Sequence, residues 1–223
     1  MPIVLHHLDN SRSQRILWLL EELGAPYEIK NYKRDPATQR APPELLKVNP
    51  LGKAPVITDG DINLAESGAI IEYLIQKYGN GKLAPLETET SKVQDLYFLH
   101  YAEGSAMHLF VSKLVYSLAP DQAPWFVRPL VRLVLNGLST GYLEPEIKKQ
   151  VDFVESHLSK NEWFAGGSGP TGADFSMAMV IEIFTMYDYG GPAIKEYAKR
   201  VKARTAWQKA MEKGGEYKYA AKM

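Results

Sequence analysis

Asn49-Pro50-Leu51-Gly52-Lys53-Ala54-Pro55-Val56-Ile57-Thr58-Asp59-Gly60-Asp61-Ile62-Asn63-Leu64-Ala65-Glu66-Ser67 is the stretch whose reading decides the fold. Two apolar runs, Ala54 to Thr58 and Ile62 to Ala65, flank Asp59-Gly60-Asp61, which is the pattern of a β-hairpin. Glu66-Ser67 then opens a helix. Ile70, Ile71, Leu74, Ile75 and Tyr78 make its apolar face, and Gly79 stops it. Working back from the hairpin, Pro42 to Val48 predicts a short helix with proline at its start, preceded by a polar loop from Lys33 to Pro43. Earlier still, Pro2 to Leu8 reads as a strand and Asp9 to Gln14 as a polar turn. Ile16, Leu17, Leu20 and Leu23 share one helical face that Gly24 ends, and Tyr27 to Tyr32 reads as a second strand. The first 79 residues thus predict β-α-β-(α)-β-β-α. The first turn carries neither GxGxxG nor GxxxxGK[ST], so a nucleotide site lacks its motif.

Working forward, Asn80 to Thr90 is rich in glycine and proline and poor in periodicity, which marks a linker. From Ser91 onward helical periodicity dominates. It predicts one long helix from about Ser91 to Ser117 and another from about Trp125 to Leu158, broken or bent at Pro120, Pro124, Pro129 and Pro145. The expected organisation is an α/β domain over residues 1–79, a linker over 80–90 and an all-helical domain over 91–223. Thr171-Gly172-Ala173-Asp174 has the capping-box form ahead of the apolar run Phe175 to Phe184. In a box of that kind the threonine accepts from the aspartate's backbone and the aspartate reaches back; its expected role is structural.

Composition removes several classes of function. There is no cysteine, so disulfides, thiolate metal sites and cysteine nucleophiles are excluded, and any thiol chemistry must use a thiol brought by a ligand. The charge sum is zero, with 26 basic and 26 acidic residues, and there is no long single-sign run. Nucleic acid and an anionic membrane therefore have no electrostatic support as partners. The segment Met1 to Leu8 begins as a strand, without a basic leader or a long apolar region, so a cytoplasmic protein is expected. The histidines do not fall at the helical spacing of a zinc pair, so no metal site is expected. His6 and His7 are adjacent and on a strand face opposite sides.

Four pieces, in order, resemble the glutathione S-transferase family: the turn from Ser11 to Arg15, Asn49 to Pro55, Leu64-Ala65-Glu66-Ser67, and the capping box at Thr171. The first-domain match is closest to the serine-using branch, and the absence of cysteine excludes the cysteine-using ones. The resemblance covers nearly the whole chain. It implies a thioredoxin-like α/β N-terminal domain, an all-α C-terminal domain and a homodimer. It also implies an enzyme that binds glutathione as co-substrate, with no permanently bound cofactor, and directs its thiolate at small hydrophobic electrophiles. Detoxification by conjugation and glutathione-dependent peroxidase activity would follow. The same fold also serves as a non-catalytic carrier or docking module, and turnover on an electrophile separates the two classes.

Glutathione presents two carboxylates, an amine, two amides and a thiol. Ala54-Pro55 resembles the family's cis-proline step, which turns a backbone edge toward the cysteinyl part for strand-like pairing; a trans proline at a strand start is the alternative. Glu66 and Ser67 stand at a helix N-terminus, where free N–H groups attract an anion, and the resemblance implies that this anion is the γ-glutamyl carboxylate; helix capping is their other reading. Arg40 and Lys53 are the cation candidates: by the resemblance Arg40 stands where a basic residue meets the glycyl carboxylate and Lys53 adds charge at a position that is often glutamine, against the alternative of solvated surface cations. By the same resemblance Ser11 stabilises the thiolate, with Ser13 as the rival. Ser11-Arg12-Ser13-Gln14 is also a capping box, in which Ser11 accepts from the backbone of Gln14, and Arg12 adds positive potential or is merely solvated. Tyr101, His108 and Trp125 are the candidates for the electrophile pocket, against the alternative that such aromatic stripes are core.

Overall fold

The computed structural model describes residues 2–38, 40–215 and 217. Four strands form one sheet: β1 (Ile3–Leu8), β2 (Tyr27–Tyr32), β3 (Val56–Asp59) and β4 (Ile62–Ala65), in the order β2-β1-β3-β4. β1 and β2 run parallel across the crossover helix α1 (Ser13–Leu23); β3 is antiparallel to β1, and β4 to β3. The hairpin closes at Asp59↔Ile62 through Gly60 at φ +60°, a conformation glycine adopts without a Cβ clash. α2 (Pro43–Leu46) is a single turn ahead of β3, and α3 (Ser67–Tyr78) follows β4. The strand reading thus holds to within two residues at each end. This is the thioredoxin-like arrangement that the resemblance implied.

The helical part starts at α4 (Glu89–Tyr101), two residues before the expected Ser91. The two long helices of the sequence reading are each interrupted. α4 passes through a wider π-helical stretch, Ala102–Met107, into α5 (His108–Gln122). The second begins at α6 (Arg128–Leu138), not at Trp125, and passes through π-helical Ser139–Leu143 into α7 (Glu144–Leu158). Glycines in both wide stretches, Gly104 and Gly141, lower helix propensity there. α8 (Gly172–Met186), α9 (Pro192–Lys202) and α10 (Thr205–Gly214) complete the all-helical part. Among the described residues no helix is long and apolar enough to cross a membrane.

One core joins the two parts. α1 is buried from Ser13 to Leu20, and α8 from Gly172 to Phe184. Trp18 of α1 packs 4.5 Å from the ring of Phe175 on α8 and 5.4 Å from that of Trp207 on α10. A helix that is apolar on every side belongs inside, and α8 is the axis around which the helical part is built. α10 folds back over α1, where Gln14 Nε2 donates to the carbonyl of Ala210 at 2.9 Å.

Of the two capping boxes read from the sequence, the one at α8 forms and the one at α1 does not. At α8 the aspartate does reach back: Asp174 accepts from the backbone N–H of Thr171 at 2.8 Å. The Thr171 side chain accepts from the Asp174 backbone in return, so the box is complete, and the threonine hydroxyl also donates to that same carboxylate at 3.2 Å. Asp174 also accepts from Phe164 N–H at 3.1 Å and from the Tyr197 hydroxyl at 2.8 Å, so it is a fully buried hub. At α1 the box does not form, because Gln14 is drawn away to α10. Ser11 Oγ accepts from Ser13 N–H at 3.2 Å, and the Gln14 N–H goes to the Ser11 carbonyl at 3.3 Å.

Candidate active site

Strand directions bring the site together. β1 ends at Leu8, and the turn beyond it passes through Asn10 at φ +48° to Ser11. β3 runs the other way, with Val56 opposite His6, so Ala54-Pro55 lies ahead of β3 at the same end of the sheet. Val56 also pairs Ala65 on β4, which places Glu66-Ser67 beside them. Ala41 and Ala54 both pack on the small cluster of Leu8, Tyr32 and Leu45, so the chain beside Arg40 and the chain beside Lys53 meet at that end too. Ser11, Arg40, Lys53, Ala54, Pro55, Glu66 and Ser67 therefore gather at one edge, although 56 positions separate the first from the last.

The Ala54-Pro55 bond is cis. Ala54 stands outside the β1–β3 ladder, whose register stops at Val56. Asn49 braces this loop: its Nδ2 donates to the Lys53 carbonyl at 3.1 Å and its Oδ1 accepts from Leu51 N–H at 3.1 Å. Glu66 sits at φ +73° and ψ +116°, a strained conformation for a residue with a side chain and one that recurs at ligand sites. The helix it opens has no side-chain cap and no acid in its first turn. Its leading N–H groups, with the buried Ser67 hydroxyl beside them, form an anion-attracting end. Arg40 and Lys53 are exposed, and neither forms an ion pair among the described residues.

At the α1 terminus, Ser11 is 7% exposed and Ser13 is fully buried. Their hydroxyl oxygens are 2.7 Å apart. Ser13 Oγ continues to His7 Nδ1 at 2.9 Å, with the Leu8 carbonyl at 3.3 Å as a longer contact. His7 Nε2 donates to the carbonyl of Gly214 at 3.1 Å, at the end of α10. Burial holds the His7 imidazole below the ordinary histidine range, against the Gly214 carbonyl and Asp9, which both raise it. His6 points the opposite way, to Tyr32 and Thr58, as the strand alternation predicts.

Arg12 is not a solvated charge. Its Nε donates to both oxygens of Glu103 at 2.8 and 3.0 Å, and Arg15 Nη1 donates to the same carboxylate at 3.0 Å. Burial alone would raise the Glu103 pKa; Arg15 and Arg12 hold it below the usual carboxylate range. This ion pair spans the two parts of the molecule, from the start of α1 to the π-helical stretch. Nothing in the local sequence around Ala102 to Met107 marked Glu103, because its partners lie 91 and 88 positions away. His7 was missed as well, although strand alternation already aimed it away from His6.

The three aromatic candidates do not share one pocket. Tyr101 is 7% exposed, its hydroxyl donates to Gln150, and its ring stacks with that of Tyr97. It lines an apolar depression of about 520 Å³ along α4 and the π-helical stretch, between Val93 and Ser105. His108 is exposed at the start of α5. Trp125 is 80% exposed in the turn before α6, edge-on to Phe126.

Comparison with known proteins agrees with this arrangement. The N-terminal domain of glutathione S-transferase matches residues 2–76, and its C-terminal domain matches residues 143–203. Glutathione S-transferase 3 of Schizosaccharomyces pombe is 39% identical over 95% of this chain and 87% of its own. Glutathione S-transferase 1 of Saccharomyces cerevisiae is 34% identical over 96% of each. Among solved structures, a glutathione S-transferase from Actinobacillus pleuropneumoniae superposes with a TM-score of 0.79 at 32% identity, over 98% of this chain and 96% of that one. A glutathione transferase from Phanerochaete chrysosporium, solved in complex with oxidized glutathione, gives 0.74 at 25% identity over 96% of both. With both domain families matched in order, and relatives above 30% identity aligned over nearly its full length, the chain belongs to the glutathione S-transferase family.

Proposed function

We propose that this chain is a glutathione transferase of the serine type, which ionises the glutathione thiol beside Ser11 and directs it at hydrophobic electrophiles. The observation that carries this reading is the gathering of Ser11, Ala54-Pro55 and Glu66-Ser67 at one sheet edge, in front of an uncapped α3. The γ-glutamyl carboxylate sits on the α3 N-terminus and the Ser67 hydroxyl, while Glu66 holds the α-amine. The cysteinyl backbone pairs with Ala54, positioned by Pro55, and Lys53 and Arg40 meet the glycyl carboxylate. The thiol then faces Ser11. A thiol of pKa ~8.5 is only about 3% ionised at pH 7, and lowering it by ~2 units takes about 2.7 kcal/mol. A hydroxyl bond to the anion, together with the α1 dipole, is of that order. Ser13 is the weaker candidate because it is fully buried and bonded inward to His7.

The electrophile enters beside the Arg12–Glu103 pair, with His108 at the start of α5 as one candidate for its wall. Tyr101 and Trp125 bound the wider helical wall. The domain division remains 1–79, 80–90 and 91–223, with the part of the last range beyond Tyr217 outside the described residues. A homodimer in the cytoplasm is the expected form. The exposed side chains of Val93, Leu96 and Tyr97 on α4, each about half exposed, support a partner subunit there. Peroxidase activity on organic hydroperoxides is the expected side reaction. The test is conjugation of a chlorinated dinitrobenzene with glutathione, run beside retention on immobilised glutathione. Turnover with retention supports the enzyme; retention without turnover on several electrophiles would make the protein a binding module.

A further inference from the structure

The hydroxyls of Ser11 and Ser13 and the ring of His7 form one unbroken chain, with links of 2.7 and 2.9 Å, tied at its far end to Gly214 at 3.1 Å. The donor inventory fixes which way it points. A carbonyl oxygen only accepts, so His7 Nε2 carries a hydrogen. In a neutral imidazole Nδ1 is then a bare lone pair, and the 2.9 Å contact must be Ser13 donating to His7. Ser13 has spent its only hydrogen, so Ser11 donates to Ser13. Ser11 also accepts from Ser13 N–H. In the free protein the Ser11 hydrogen is therefore turned inward, away from where a sulfur would need it.

We propose that the glutathione thiol proton leaves along this chain, through Ser11 and Ser13, to Nδ1 of His7. The inference rests on Ser11 being the group at the sulfur. The S–H proton passes to Ser11 Oγ as the Ser11 proton moves to Ser13 Oγ and the Ser13 proton moves to Nδ1. One proton leaves sulfur, one arrives on His7, and both serines stay neutral. The end state is imidazolium donating to Ser13, Ser13 donating to Ser11, and Ser11 donating to the thiolate. The hop thus reverses every link and delivers the arrangement that stabilises the sulfur anion. A capped or solvated serine would show no such chain. His7 acts through the serines and is a positioning residue.

The surroundings of His7 suit a proton held only while the anion is present. The charge that acts on it is Asp9, just beyond its own strand, which favours the imidazolium. α1 offers the neutral Ser13 hydroxyl, α10 the Gly214 carbonyl, and on β2 the paired residue is Asn31. Burial keeps the ring neutral in the free protein, and the arriving thiolate supplies the opposite charge that offsets it.

The experiment follows the imidazole nitrogens of the 15N-labelled protein near pH 7, before and after saturation with glutathione, with thiolate absorbance read on the same samples. The His7 signals are identified by their loss in His7→Asn. The expected result is conversion of His7 from neutral ring to imidazolium as the thiolate appears. Titration calorimetry in buffers of different ionisation enthalpy should then show almost no proton released to solvent. Ser13→Ala, which cuts the chain, and His7→Asn, which keeps an acceptor but takes no proton, should each raise the bound thiol pKa by about one unit, a tenfold loss of thiolate on the rising limb. A wild-type His7 that stays neutral while thiolate is present overturns the relay. Ser11→Ala separates the two ideas. If it abolishes the thiolate while His7 stays neutral in the glutathione-bound wild type, only the relay fails; if it leaves the thiolate intact, the assignment of Ser11 fails with it.

Discussion

The N-termini of α1 and α8 begin with the same kind of sequence and end in opposite states. Thr171-Gly172-Ala173-Asp174 closes on itself: the carboxylate of Asp174 collects the Thr171 N–H and hydroxyl, the Phe164 N–H and the Tyr197 hydroxyl. Ser11-Arg12-Ser13-Gln14 stays open. Gln14 leaves for Ala210, Arg12 crosses to Glu103, and the Ser11 hydroxyl rests on Ser13 in place of the helix. The difference is burial of demand. At α8 the donors are sealed in the core and must be met from within, since an unmet buried donor costs about 1–3 kcal/mol. At α1 and at α3, which has no side-chain cap either, the donors face the edge where a ligand can meet them. A capping pattern that is satisfied marks structure, and one left unsatisfied beside a cleft marks a site.

The comparison breaks most readily at Asp174. Asp174→Ala strands four buried donors and should lower unfolding stability by on the order of 3–5 kcal/mol in urea titration, with unchanged kcat/KM per folded molecule. A variant that stays stable but loses activity would reverse the roles assigned to the two ends.

Next in size is Ser67→Ala at the open end of α3. Losing a hydroxyl bond to a carboxylate should cost ~1.5–3 kcal/mol of glutathione binding, a roughly tenfold or greater rise in Kd by calorimetry, with little change in stability. Unchanged affinity would move the carboxylate elsewhere.

Ser11→Ala should raise the apparent thiol pKa in the kcat/KM profile by about one unit and cut neutral turnover roughly tenfold, again with small effect on unfolding. Ser11→Thr should retain more activity because the hydroxyl remains.

The smallest effect sharpens the contrast by supplying a carboxylate at the other end of β3, which takes no part in the site. Asp59 accepts from Tyr73 at 2.8 Å, Lys77 at 2.8 Å and Tyr78 at 2.6 Å, tying the hairpin to the far half of α3. Burial pushes its pKa up, but these three donors outweigh it and hold it at about 2. A carboxyl depressed on folding stabilises above its unfolded pKa of roughly 4, and that contribution fades as pH falls toward 2. Asp59→Asn should therefore flatten the acid limb of Tm against pH while glutathione affinity stays put; an affinity change would tie Asp59 to the site.

The sequence by itself determined the order of elements, because period-2 and period-3.6 patterns and turn residues are local. Asp59-Gly60-Asp61 fixed the hairpin, Gly24 and Gly79 the helix ends, and the Ala54-Pro55 step and Glu66-Ser67 the candidate site edge. Zero cysteine fixed that any thiol must come from outside. Only the tertiary structure decided the fate of side chains whose partners are remote. It took Gln14 out of its box with a bond 196 positions away, set Glu103 against Arg12, and joined His7 to Gly214 across 207 positions. It also scattered Tyr101, His108 and Trp125, because the π-helical stretch after Tyr101 changes the angular step that equal spacing assumes. Backbone choices are made by neighbours in sequence, whereas a buried polar group must take whichever partner the finished packing leaves within about 3 Å.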